Sequence, residues 1–160
     1  MSQMQWPEIR GPWSAATVRR FLDDSVIPMR IGVQSLSGSP LVMSVWFITD
    51  GFELLGATRP TSTLVGCLER RAECGFEVAA DTPPYRGVRG AAQVELDRES
   101  GAATLDRLLV RYLGSLSSPL AERLSARSAD EVCLRLRPVS LVTWDYSRRM
   151  APGSVTSTDA

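Results

Sequence analysis

The chain has 160 residues, of which 44% are hydrophobic and 22% charged, and its formal net charge is zero. That length suits one domain with a core large enough to need no staples. The charge balance excludes a global field that would recruit nucleic acid or an acidic membrane surface.

The residue types that are missing exclude more. All 18 basic residues are arginine, and there is no lysine, histidine or asparagine. Without lysine there is no Schiff base, so covalent pyridoxal phosphate chemistry is ruled out. Without histidine there is no Ser-His-Asp or Cys-His pair, and the commonest metal ligand and neutral-pH proton shuttle is absent. Cys67, Cys74 and Cys133 match no zinc spacing. They read as free, buried thiols of a reducing cytosol, and no metal site is expected.

In chain order, residues 1–13 form an irregular lead-in, and Ser14 caps a helix running to about Asp24. The period then changes. The run Ile31–Thr49 carries no charge, which invites a membrane reading, but Ser35, Ser37, Gly38, Ser39 and Pro40 interrupt it. Two strands joined by a turn, Met29–Leu36 and Leu41–Thr49, are therefore expected. Asp50-Gly51 signals a tight hairpin into a third strand, Phe52–Thr58. Thr61–Arg71 reads as a helix with Leu64, Val65 and Leu68 inward. Glu73–Ala80 is a fourth strand. Arg86–Asp97 is a fifth, with Val88, Ala92 and Val94 on one face and Arg89, Gln93 and Glu95 on the other.

Ala103–Leu113 and Ser118–Ser125 read as helices. Glu131–Arg137 and Val139–Tyr146 form a sixth strand, bent or interrupted at Pro138. Residues 14–150 make one domain, and residues 151–160 read as a disordered tail. The expected architecture is mainly β (α+β): a six-stranded antiparallel split β-barrel with peripheral helices, closed to remove exposed edges.

The segment Thr58-Arg59-Pro60-Thr61-Ser62-Thr63 joins a strand end to a helix start. Helix N-termini offer free N–H groups and partial positive charge, hydroxyls add donors, and Arg59 adds a planar fork. The turn therefore suits a phosphate. It equally suits plain capping by Thr61 or Ser62 with Arg59 in water, and the segment by itself leaves both readings open.

Its neighbours are informative. Pro40 precedes Val45-Trp46-Phe47, Asp50-Gly51 follows, and then Thr58 and Ser62. Leu68-Glu69-Arg70-Arg71 and Tyr85-Arg86-Gly87-Val88-Arg89 come later. This order resembles the pyridoxamine 5'-phosphate oxidase-like, flavin-binding split-barrel family, over about Val26–Tyr146. The broken apolar run and the free thiols lead to the expectation of a cytoplasmic protein, and the resemblance implies a homodimer that binds FMN or the deazaflavin coenzyme F-420 at the subunit interface and acts on a small molecule. It places Val42, Met43, Ser44 and Val45 along the ring and Thr58, Arg59, Ser62, Thr63 and the Leu64 position at the phosphate. Gln93 would reach the ring, and Trp144 of the other subunit would close the site. No catalytic side chain is assigned.

Two departures stand out. The family's turn lysine falls at Leu64, and its Asp-Pro after the helix is replaced by Ala72-Glu73-Cys74. With no histidine, true pyridoxamine phosphate oxidation is not expected. The rival expectation is a split barrel that has lost its redox cofactor and serves as a ligand-binding or non-redox module. A third is haem or another planar ligand in the same cleft.

Overall fold

The computed structural model describes residues 6–152, so residues 1–5 and most of the expected tail, 153–160, lie outside the described residues. Helices begin where serine offers a cap. Ser14 Oγ accepts from the Thr17 N–H and opens α1 (Ala15–Asp24). Ser62 caps α2 (Thr63–Arg70) through the Val65 N–H, and Ser118 caps α4 (Pro119–Ser125) through that of Ala121. α3 (Gly101–Leu113) starts without a side-chain cap. Each longer helix buries one stripe, including Val18 and Leu22 on α1, Leu64, Val65 and Leu68 on α2, and Leu105, Leu108 and Leu109 on α3.

The strands are β1 (Ile9–Arg10), β2 (Met29–Gln34), β3 (Pro40–Val45), β4 (Ile48–Asp50), β5 (Glu53–Thr58), β6 (Glu73–Ala79), β7 (Arg86–Asp97) and β8 (Val132–Asp145). They form one 8-stranded sheet in the order β3-β2-β6-β7-β8-β5-β4, with β1 lying parallel on β8 and every other pairing antiparallel. β3 and β4 sit at opposite ends of that path, yet only Trp46 and Phe47 separate them in the chain. The covalent chain thus bridges the seam of a split barrel. Inside it pack Ile31, Phe47, Leu54, Val65, Phe76 and Leu134.

The mainly β architecture is the expected one, and β7 has the expected bounds and alternation. The Asp50-Gly51 hairpin forms, with Gly51 at φ +58°, a region that glycine enters without strain. The expected six strands become eight for local reasons. The run Leu41–Thr49 is not one strand, because it breaks after Val45 to change edges. The lead-in contributes β1, which pairs with Leu141 and Val142. Pro138 does not interrupt β8. Ala92 opposes Pro138 and Ala91 opposes Ser140, so Val139 is an extra residue in a bulge. A bulge is where a strand tolerates a residue with no N–H to donate.

A charged ladder ties β5, β8 and β7 together. Glu53, 6% exposed, accepts from Arg135 and, at 2.6 Å, from Arg137, which also bonds Glu95 at 2.6 Å. Burial pushes the Glu53 carboxyl up, but hydrogen bonds and charge from Arg137 and Arg135 outweigh it and hold the group below its ordinary value. A depressed carboxyl stabilises the fold above its unfolded pKa of about 4.3, and that contribution disappears as pH falls through the folded value. Glu53→Gln is expected to cost about 2 kcal/mol in urea unfolding at pH 7. The difference from wild type should shrink toward pH 3.

Candidate functional site: a cleft beside the barrel seam

The seam is held by α3. The Phe47 N–H, left without a ladder partner by the strand break, donates to Tyr112 Oη at 3.3 Å, and the Tyr112 hydroxyl donates to the Ile27 carbonyl at 3.0 Å. Burial pushes the Tyr112 phenol up, so it remains a donor at neutral pH. The Tyr112 ring stacks on Trp46 with centroids 4.8 Å apart and planes within 6°. Arg111 lies over the Phe47 ring and donates to the Leu22 and Ser25 carbonyls, at 2.8 and 2.6 Å, at the end of α1. A cation suits those last carbonyls of a helix.

This arrangement opens a cleft of about 570 Å³ between the seam, the end of β5, the 59–62 turn, α3 and α4. Its apolar wall is Trp46, Ala57, Leu105, Leu108 and Leu124. Its polar side is Ser44, Thr58, Arg59, Thr61, Ser62 and Glu131. A hollow of about 440 Å³ continues from Arg59 and Thr61 past Arg127 and Asp130. The volume and the apolar wall with a few convergent polar groups are those of a small-molecule pocket.

Of the residues singled out from sequence, Ser44, Val45, Thr58, Arg59 and Ser62 line this one cleft. Thr63 is exposed on the first turn of α2. Both readings of the turn are physically compatible here. Ser62 Oγ caps Val65 at 3.2 Å, and the N–H groups ahead of Val65 have no intrahelical acceptor. Arg59 forms no ion pair among the described residues. Leu64 points the other way: it is 2% exposed and belongs to the barrel core.

Val42 and Gln93 line a separate hollow of about 390 Å³ on the outer sheet face, and Met43 packs against the core. Trp144 stands farther along β8, under the Arg89 guanidinium at 5.3 Å. None of these four lines the Thr58–Ser62 cleft.

Sequence reasoning missed Glu131 and the leucines of α3 and α4. Glu131 ends a turn of 3-10 helix at Ser128–Asp130, and its backbone presses on the start of α3. A Cβ placed on Gly101 would lie 1.8 Å from the Glu131 carbonyl oxygen, so only glycine fits. Burial pushes the Glu131 carboxyl up, partly opposed by the Arg59 charge. The thiols take no part. All three cysteines are free and buried, and burial beside Glu73 pushes Cys74 up to about 12.

No protein-family model matches the chain, and no curated protein sequence matches it. Solved structures do. A conserved hypothetical protein of Mycobacterium tuberculosis superposes with a TM-score of 0.74 at 19% identity, over 93% of this chain and 96% of that one. An F-420 reductase superposes at 0.63 with 23% identity, over 75% and 92%. A Listeria innocua protein named for pyridoxamine 5'-phosphate oxidase superposes at 0.61 with 11% identity, over 82% and 97%. The fold is a split β-barrel, the architecture these structures share. Among the described residues of this split barrel, no helix is long and apolar enough to cross a membrane.

The geometry makes Tyr112 the strut of the cleft wall. Tyr112→Phe keeps the ring on Trp46 but removes both hydroxyl bonds. Chemical denaturation should show a loss of about 1–2 kcal/mol. The indole emission of Trp46 should shift as the wall loosens.

Proposed function

We propose that this protein is a homodimeric oxidoreductase that binds FMN or the deazaflavin coenzyme F-420 in the cleft beside the seam. The observation that carries the reading is the cleft itself. An apolar wall for a planar ring meets an arginine, three hydroxyl side chains and the first turn of a helix at one end. The donor set fits a tricyclic ring on a phosphate-bearing chain. The neighbour named as an F-420 reductase supports the same assignment.

When bound, such a cofactor would supply hydride transfer, which no protein side chain performs by itself. The protein's part is binding, orientation and exclusion of water. Trp46, Leu105, Leu108 and Leu124 give the ring an apolar surface. Ser44 and Val45 offer backbone groups from the end of β3. Thr58, Arg59, Ser62 and Thr63 hold the phosphate, and Arg59 supplies the positive charge that Leu64 does not. The buried thiols agree with a reducing cytoplasm.

The outer sheet face supports the pairing of two copies. Val42, Gly32, Gly75, Ala91 and Ser140 lie opposite one another in a single row across β3, β2, β6, β7 and β8. The middle members of the row are small, and Gly32, Gly75 and Ala91 line the shallow hollow on this face. Val42, at one end of the row, is 67% exposed, and Val139, beside the other end, is 55% exposed. A second copy would cover this face, and Gln93 and Trp144, which stand away from their own chain's cleft, would serve the partner's. Ala91→Arg puts a long charged side chain into the row. It is expected to turn the wild-type dimer into monomer in sedimentation equilibrium while leaving the melting temperature of the barrel close to unchanged.

The cofactor is tested by titrating the purified protein with FMN and with coenzyme F-420, following absorbance and fluorescence. One or both should bind more tightly than about 100 µM, roughly −5.5 kcal/mol. Arg59→Gln should weaken binding ten- to a hundredfold, the worth of about 1.5–3 kcal/mol for a charge-assisted hydrogen bond. Failure of both ligands to bind removes the redox reading. It leaves the split barrel as a non-redox ligand-binding module, the reading that Leu64 at the usual lysine position favours.

A further inference from the structure

Glu131 is a carboxylate in a cleft otherwise suited to an anion. It lines the same wall as Arg59, Thr61 and Ser62. The elements packed around it bring no further charge into the cleft: α3 presents Leu105 and Leu108, α4 presents Leu124, and β5 presents Ala57 and Thr58. The other charged groups nearby, Arg127 and Asp130, line the adjoining hollow and are of opposite sign. With Glu131 ionised the cleft therefore carries one positive and one negative side chain.

The backbone that carries the carboxylate is fixed at the cleft. Its backbone N–H donates to the Ser128 carbonyl at 3.0 Å, and its carbonyl oxygen lies against Gly101 at the start of α3. Its partial burial also weakens the solvent screening that would hide it from a bound anion.

We infer that Glu131 selects the charge of the phosphate that the cleft accepts, favouring a singly charged phosphodiester over a doubly charged phosphate monoester. The inference rests on the cofactor reading above and sharpens it. One arginine balances the single charge of a diester. The second charge of a monoester has no cation left to meet and faces the Glu131 carboxylate instead. FMN carries such a monoester, so the residue would count against FMN and in favour of a ring whose phosphate is esterified twice.

The test holds the ring constant. FMN and its 5'-phosphate methyl ester, a diester with the same isoalloxazine, are titrated into the full-length protein at pH 8 and followed by flavin fluorescence. A phosphate monoester, with its second pKa near 6, is doubly charged there. Wild type should bind the methyl ester more tightly than FMN. Glu131→Gln should strengthen FMN binding about fivefold or more and change methyl-ester binding much less, and Glu131→Ala should do the same. A wild type that prefers FMN overturns the inference, as does an FMN-to-ester ratio that is the same in wild type and a folded variant. Those outcomes leave the cofactor reading intact. If neither ligand binds to wild type or variants, this inference falls, and the cofactor reading is decided separately by the coenzyme F-420 titration.

Discussion

Closure of this barrel depends on two residues. β3 ends one edge of the sheet and β4 begins the other, so Trp46-Phe47 must carry the chain across the seam within one dipeptide. A strand break of that kind exposes backbone groups at a place where the surroundings are already apolar. An unpaired buried N–H costs roughly 1–3 kcal/mol. Tyr112 removes that cost by accepting from Phe47, and its own hydroxyl proton goes to Ile27. The same helix sends Arg111 to the end of α1. One turn of α3 thus fixes the seam, the first helix and the aromatic wall of the cleft. The cleft is a by-product of how the barrel is shut.

That dependence explains what was legible in the sequence. Features set by neighbours in the chain could be read directly: the serine cap at Ser14, the Asp50-Gly51 hairpin, and the alternation along β7. The break after Val45 could not, because nothing in Val45-Trp46-Phe47-Ile48 differs from a buried strand. It is imposed by Tyr112, 65 positions away from Phe47. β1 was hidden for the same reason, since two residues of lead-in become a strand only because β8 offers an edge. Pro138 marked the irregularity in β8 but not its form: the strand continues through a bulge defined by its pairing with β7.

The site divides along the same line. Thr58, Arg59 and Ser62 were visible because a strand end, a turn and a helix start follow one another. Glu131, Leu105 and Leu108 come from segments far along the chain, and nothing in their local pattern marks them. Leucines at those positions read as core, which they also are: Leu108 packs with Ile48, Leu55 and Cys133. Glu131 follows a polar run, where a carboxylate is ordinarily solvated. Only the contact with Gly101 draws it inward.

An all-arginine chain distributes its cations with consequences for the cleft. Arg135 and Arg137 are committed to Glu53, Arg98 to Glu69, Arg71 to Glu73, and Arg111 to helix carbonyls. Guanidinium groups suit such fixed roles, because a planar fork makes several bonds at once and never loses its charge. Arg59 stands apart, since the turn that carries it is neither in the sheet nor against a committed acid. Its counter-charge is the half-buried Glu131, held in place by backbone packing rather than by a hydrogen bond to Arg59. A pair joined so loosely does not neutralise itself as the Glu53 ladder does. It leaves a guanidinium fork open on one side, with a carboxylate close enough to penalise excess negative charge. The turn's two readings then cease to compete. Ser62 caps the helix, and capping fixes the backbone on which Arg59 is presented to the cleft.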